Sequence, residues 1–268
     1  MGFITTDDGT RLHYEILGAG EKTILFAHGY FDSGENFAAY SAELQKKYRV
    51  VVYDHRAHGS SDSPQDGYTM TRLAMDMKCL VDQLALGPVT AIGYSMGVHV
   101  IYRYIELYGV DDFEKVVLTV MSPKLLTDDD YHLGIGGHCP AEDVLDYIIT
   151  INRSLKEYTL REYSEDLPEE HKQAILANSE RIVTHHAQGP MIRLLIAMFE
   201  HDFWPMLSKI TCPALVIAGE SDIYPTATQE EVSRRIPGSK LVILKDCGHL
   251  LLFERPEAYM QELAEFIG

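Results

Sequence analysis

Short apolar runs alternate with segments of helical periodicity along the first half of the chain. The runs at 23–27, 49–53 and 88–92 are rich in β-branched residues, and residues 69–86 carry apolar side chains at helical spacing. Runs that are apolar throughout are typical of parallel strands that are buried on both faces. The alternation therefore predicts an α/β fold, with a mostly parallel sheet covered by helices on both faces.

The pattern changes in the second half. Residues 124–205 contain no strong strand, whereas 144–149 and 191–199 have helical periodicity, and strands return only beyond this segment. A chain of 268 residues is long enough for one large core with an insertion. We therefore expect residues 1–123 and 206–268 to form the core and 124–205 to be a helical cap inserted between core strands.

A G-x-S-x-G motif follows the strand predicted at 88–92. It reads Gly93-Tyr94-Ser95-Met96-Gly97 and leads directly into an apolar segment with helical character. This arrangement is typical of a nucleophile elbow, a sharp strand-to-helix turn that holds a serine at the edge of a sheet. The helix that follows would direct its free N–H groups at the place where an oxyanion forms. Five residues alone are a weak indication, so the interpretation depends on the rest of the chain.

A serine hydroxyl needs a base, and the base needs a group that orients it. His249 lies in a loop directly after the last predicted strand, and Asp222 lies in a loop after the strand before it. Catalytic groups of open α/β sheets gather at these carboxyl ends of strands. The order Ser95, Asp222, His249 therefore predicts a catalytic triad with Ser95 as nucleophile and His249 as base.

Several motifs in this order resemble those of the α/β-hydrolases over nearly the whole chain. They are His28-Gly29-Tyr30, the segment 54–62, the elbow, the segment 219–225, and Gly248-His249 with Glu254 and Pro256 behind it. A nearer resemblance, to small bacterial esterases and cofactor-free haloperoxidase-like hydrolases, rests on residues 122–126 and the acidic segment that follows. Some members of that branch carry an aspartate just before the Ser-Pro pair. Here those positions are Val120 and Met121, which leaves Asp222 as the well-placed acid.

The resemblance also implies where the oxyanion binds. In that family the donors are the backbone N–H of the residue after the nucleophile, here Met96, and that of the residue after the His-Gly pair, here Tyr30. One departure is Ala57, where the family more often has glycine, and it bears on the geometry of that loop. The mechanism requires no metal and no organic cofactor.

Several aromatic, acidic and histidine residues outside the predicted triad are expected to contact substrate or to have structural or surface positions. Substrate contacts are expected from four aromatic residues: Phe31, Tyr131, Trp204 and Tyr224. We expect His28 to be structural, with its ring bonded to neighbouring loop backbone. Asp32 and Glu35 lie near the oxyanion loop, and a surface position is favoured for both over contact with substrate. Five further histidines are expected to be solvated or packed, since their spacing does not form a usual ligand set: His132, His138, His171, His185 and His186.

The net charge limits the classes of binding partner, and the cysteine content indicates the redox state of the thiols. The net charge of −17, from 23 basic and 40 acidic residues, argues against nucleic acid or an anionic membrane as partner. Four scattered cysteines favour reduced thiols. No stretch approaches the roughly 20 apolar residues of a membrane span, and the N-terminus lacks the pattern of a secretion signal. We expect a cytoplasmic protein, and the sequence leaves its oligomeric state open.

These observations predict a serine hydrolase that cleaves a small carboxylic ester or lactone through an acyl-enzyme, with an acyl substrate and water as reactants. Thioester hydrolysis, carbon–carbon bond hydrolysis and peracid formation would use the same triad. A receptor that retains a triad is a further alternative of a different class. Multiple-turnover kinetics would distinguish the enzyme from the receptor.

Overall fold

One mixed sheet forms the centre of the computed structural model, which describes residues 1–153 and 188–268 together with residues 169 and 173. Within these residues the sheet has eight strands, in the spatial order β1-β2-β4-β3-β5-β6-β7-β8. The strands are β1 (Gly2–Thr5), β2 (Arg11–Leu17), β3 (Thr23–Ala27), β4 (Arg49–Tyr53), β5 (Val89–Tyr94), β6 (Phe113–Thr119), β7 (Ala214–Gly219) and β8 (Lys240–Leu244). Only the pairings of β1 with β2 and of β2 with β4 are antiparallel.

The helices connect these strands, as parallel neighbours require. The described helices are α1 (Ala38–Leu44), α2 (Met70–Gln83), α3 (Met96–Tyr108), α4 (Val144–Arg153), α5 (Gln188–Phe199), α6 (Thr226–Arg235), α7 (Leu251–Glu254) and α8 (Pro256–Ile267). The helix α2 begins where the Thr69 side chain accepts a hydrogen bond from the Arg72 amide, a typical N-cap.

Both faces of the central strands are buried. Alternate residues of β3 point to opposite sides, so that Leu25 belongs to a core with α2 and α3, whereas Ile24 and Phe26 belong to a core with α1 and α8. All five residues of β3 are buried. This is the reason that the strand reads as a continuous apolar run, and the predicted fold class is confirmed.

The described parts of the segment 124–205 pack against the core from outside the sheet. They contain α4, α5 and short 3₁₀ turns, and an isolated bridge joins Lys124 to Asp202. Most of the segment between α4 and α5 lies outside the described residues, so the cap and its boundaries stay a prediction. Among the described residues, no helix is long and apolar enough to cross a bilayer. The cytoplasmic location also stays a prediction.

The helix α3 approaches the end of β3 so closely that only glycine fits at Gly97. A Cβ at this position would lie 2.0 Å from the carbonyl oxygen of Ala27. Because this oxygen belongs to the backbone of β3, it cannot move away from an added Cβ unless the strand itself shifts.

We expect Gly97→Ala to lower the free energy of unfolding by about 2 kcal/mol, since overpacking a dense core forces the backbone to shift. Urea unfolding measures the change. The matched control is Gly189→Ala in α5, where an added Cβ meets nothing within 4 Å. The control should change stability by no more than about 1 kcal/mol. Equal effects at the two glycines would contradict the close approach of α3.

Candidate active site

Ser95 occupies a strained turn between β5 and α3. Its backbone has φ 50° and ψ −119°, a conformation that residues with a Cβ rarely adopt. The Ser95 amide donates to the carbonyl of Thr119 in β6 at 2.9 Å, and its carbonyl accepts from Val98 at 2.8 Å. These two hydrogen bonds fix the turn to the neighbouring strand and to the first turn of α3.

His249 lies between Ser95 and Asp222. Its Nε2 is 3.0 Å from Ser95 Oγ, and its Nδ1 is 2.9 Å from Asp222 Oδ1. Because a carboxylate only accepts, the Nδ1–H donates to Asp222, and Nε2 is left to accept from the serine hydroxyl. The side chains of His249 and Asp222 are 3% and 1% exposed. The structure thus brings together the three residues that were predicted as a triad.

The loops that carry Asp222 and His249 are bonded to each other. Gly219 ends β7, and a Cβ there would lie 2.4 Å from the carbonyl oxygens of Cys247 and Gly248. The Ser221 amide donates to Cys247 at 2.9 Å. Glycine at the end of β7 therefore permits the close contact that sets the distance between Asp222 and His249.

The loop after β3 lies beside Ser95. A Cβ at Gly29 would lie 3.4 Å from Ser95 Cβ, which places Tyr30 next to the elbow. Among the described residues, the amide N–H groups of Tyr30 and Met96 have no hydrogen-bond acceptor. The Tyr30 hydroxyl donates to the carbonyl of Met191 in α5 at 2.7 Å, which connects this loop to the segment 124–205. Phe31 follows with a left-handed φ of 55°.

His28 has the structural role predicted for it. Its Nδ1 donates to the carbonyl of Gly29 at 2.8 Å, and its Nε2 accepts from the His55 amide at 3.0 Å. Burial, and then the nearby His28 and His58 rings, lower the pKa of His55 well below the ordinary value. These neutral rings join the loop after β3 to the loop after β4.

The burial of Asp32 differs from the prediction. Glu35 is exposed as predicted, but the surface position predicted for Asp32 is wrong, since this residue is only 4% exposed. Burial raises the pKa of Asp32 to about 8, and nearby Asp54 adds to the shift, although amide and side-chain donors oppose it. The sequence pattern showed only a polar loop and could not show that the loop folds inward.

Ala57 adopts the conformation for which glycine is usual. Its φ is 62°, and its amide donates to the carbonyl of Asp62 at 2.9 Å, so the loop is closed in spite of the Cβ. Arg56 beside it is fully buried, and its guanidinium binds both carboxylate oxygens of Asp76, at 2.6 and 2.8 Å. This bidentate pair holds the loop against α2.

A small apolar cavity of about 30 Å³ lies beside Ser95 and His249, with room for one or two water molecules. From the core it is lined by Tyr30, Met121, Ile223 and Tyr224. From the segment 124–205 it is lined by Leu125, Ile135, Tyr147, Leu195 and Met198. Their periodicity could not distinguish cavity wall from packed core, because both are apolar.

The four predicted substrate contacts have different positions. Tyr224 lines the cavity, and its hydroxyl lies 3.3 Å from Met121 Sδ. Phe31, Tyr131 and Trp204 are not among the lining residues. The indole Nε1 of Trp204 donates to the Tyr131 hydroxyl at 2.8 Å, so these two rings bind each other. Their polar atoms are used inside the protein, which a list of aromatic residues does not reveal.

A larger groove of about 450 Å³ lies between β2, β4 and α1, and none of the predicted catalytic or oxyanion residues lines it.

Of the histidines interpreted as solvated or packed, three lie outside the described residues: His171, His185 and His186. Within 1–153, 188–268 and the two isolated positions, no group of three or more His, Cys, Asp and Glu side chains is placed to hold a metal ion.

Comparison with known proteins decides the family. A model of the alpha/beta hydrolase family matches residues 24–262. The chain belongs to this family. A solved esterase from Exiguobacterium antarcticum is 26% identical with a TM-score of 0.90, and the match covers 100% of this chain and 99% of that one. The enol-lactonase from Burkholderia xenovorans is 25% identical with a TM-score of 0.85, covering 99% of each chain.

A curated relative, a non-heme haloperoxidase from Rhodococcus erythropolis, is 27% identical over 276 residues, covering 100% of this chain and 99% of that protein. These findings confirm the predicted resemblance to small bacterial esterases and haloperoxidase-like hydrolases. They also confirm the expectation of a hydrolase-type enzyme with esterase-like relatives.

The strain at Ser95 can be measured. We expect Ser95→Gly to be about 1 kcal/mol more stable than Ser95→Ala, because both lose the hydroxyl but only glycine adopts this backbone conformation freely. Urea unfolding of the two variants side by side gives the difference. An alanine variant as stable as the glycine variant would show that the turn is not strained.

Proposed function

We propose that the protein is a serine hydrolase that cleaves small carboxylic esters or lactones, with Ser95 as nucleophile. The observation that carries the proposal is the unbroken chain of hydrogen bonds from Asp222 through His249 to Ser95. It ends beside two backbone amides, those of Tyr30 and Met96, which are available to bind an oxyanion. Nucleophile, base and oxyanion donors in one place are what acyl transfer requires.

In the first step Ser95 Oγ attacks the carbonyl carbon of the ester while its proton passes to His249 Nε2. Asp222 holds the ring and stabilises the imidazolium that forms. The amides of Tyr30 and Met96 bind the oxyanion, and they are already in position when the charge develops. The intermediate then breaks its bond to the alcohol, which leaves with the proton from His249.

In the second step a water molecule takes the place of the alcohol. His249 accepts its proton, the hydroxide attacks the acyl carbon, and the acid leaves as Ser95 recovers its proton. A thiol ester would pass through the same acyl-enzyme, and hydrogen peroxide in place of water would give a peracid. An assay panel therefore contains matched ester, lactone and thioester substrates, with peroxide as an alternative acceptor.

The size of the cavity supports a short acyl chain. Its volume of about 30 Å³ accommodates a group of roughly one or two carbon atoms, such as the methyl group of an acetyl ester, and its walls are mainly apolar. Met198 of α5 is 4% exposed and forms part of the wall, whereas Ile196 on the same helix is 38% exposed and does not. Longer acyl chains require this wall to move.

Replacing the nucleophile tests the proposal directly. We expect Ser95→Ala to lower kcat for p-nitrophenyl acetate at least about a thousandfold and to abolish labelling by a fluorophosphonate. The exposed Ser208→Ala is the matched control and should retain both. An alanine variant that hydrolyses the ester at the rate of the unaltered protein would exclude Ser95 as nucleophile. Hydrolysis that stops after a single turnover would favour a receptor.

The chain-length preference is tested at the cavity wall. We expect Met198→Ala to raise kcat/KM for p-nitrophenyl octanoate relative to the acetate about tenfold, because the shorter side chain makes room for the acyl group. Ile196→Ala, on the same helix, should leave the ratio unchanged. If both variants behave alike, Met198 does not limit the acyl chain.

A further inference from the structure

The loop from Gly29 to Asn36 closes around the carboxyl group of Asp32. Its Oδ1 accepts from the Ser33 amide at 2.7 Å and also from the Asn36 side chain. The Gly29 amide faces the same carboxyl group. The residue therefore joins both ends of the segment that carries Tyr30, and the left-handed φ of Phe31 lies inside this segment. A conformation of this kind persists only when its surroundings hold it.

The environment of this carboxyl group disfavours its charge. Asp32 is buried, and within the described residues its Oδ2 has no hydrogen-bond partner. The neighbouring carboxylate that adds to the raised pKa of Asp32 is that of Asp54, which follows β4. Asp54 accepts from the Gly34 amide at 2.8 Å, and its other oxygen lies 3.0 Å from Nδ1 of His13 in β2. Other titratable groups of these loops are the exposed Glu35 and the buried rings of His28 and His55. No cation pairs with Asp32 in the described part of the chain.

We propose that Asp32 is a positioning residue for the oxyanion donor at Tyr30, and that it acts as a neutral carboxylic acid. The proposal rests on the function proposed above. The carboxyl group accepts the hydrogen bonds that hold the loop, and its lack of charge keeps a buried anion away from the developing oxyanion. Asp32 does not touch the substrate; it acts through the backbone of residues 29–33 and through the absence of a charge at this position.

Ionisation should therefore weaken catalysis. Burial holds the pKa of Asp32 at about 8, so the proton is lost only in mildly alkaline solution. The charge that then appears lies two residues from Tyr30, where it opposes the negative oxyanion of the transition state. The rate of acyl transfer should fall as pH rises through about 8.

Two substitutions separate the hydrogen bonds from the charge. Asp32→Asn keeps an oxygen acceptor and cannot ionise, so kcat at pH 7 should stay within about threefold of the unaltered protein, and the decline above about pH 8 should vanish. Asp32→Ala removes the acceptor and should lower kcat at least about tenfold with KM changed less than about threefold. Glu35→Gln is the matched control, since it removes an exposed carboxylate from the same loop and should leave both kcat and the alkaline decline unchanged.

The kinetic outcomes are decisive in both directions. Recovery of kcat by asparagine, together with loss of the alkaline decline, supports the proposal. An alkaline decline that persists in Asp32→Asn, or an unchanged kcat in Asp32→Ala, overturns it. A general loss of folding in Asp32→Ala is recognised by its urea midpoint, and the asparagine variant then carries the test.

A second measurement does not need catalysis. The folded protein keeps the Asp32 proton up to about pH 8, whereas the unfolded chain loses it near the ordinary pKa of 3.8. Stability from this group is thus complete at low pH and is lost as pH rises. The urea midpoint should fall relative to that of Asp32→Asn between about pH 4 and about pH 8 and then run parallel to it. Parallel midpoints throughout overturn the neutral acid, whereas absent ester turnover with this difference present refutes only the proposed function.

Discussion

The candidate active site depends on one close approach, that of α3 to the end of β3. The contact is possible because Gly97 has no side chain, and it places the loop after β3 beside Ser95. Ser95 itself is held in an unfavourable backbone conformation by its bonds to Thr119 and Val98. The free energy stored in this turn is supplied by the packing of the surrounding sheet and helices.

Buried polar groups form the second layer of organisation. The loops after β3 and β4 are joined by neutral histidine rings and by carboxyl groups that accept backbone amides. A buried charge is costly unless it is paired, so these groups are either neutral or strongly hydrogen-bonded. The buried charges of Arg56 and Asp76 are paired with each other, whereas burial favours the neutral form of Asp32.

Much of the fold could be read from local patterns. The strands at Thr23–Ala27 and Arg49–Tyr53 have the bounds that their apolar runs predict. Ser95, Asp222 and His249 are drawn together because parallel strands end at one edge of the sheet. The cavity wall was harder to predict. Leu125 and Leu195 lie far apart in the chain, and no local periodicity indicates that they face one space.

The sequence by itself determined the alternation of strands and helices, the elbow and the order of the three polar residues, because these depend on neighbours along the chain. The tertiary structure decided what burial does to each side chain. Asp32 and Glu35 look alike in the sequence, but only Asp32 turns inward, and its acidity changes as a result. Tyr131 and Trp204 look like pocket aromatics, but they bind each other. Burial and partner choice depend on contacts between distant segments, and those exist only once the chain has folded.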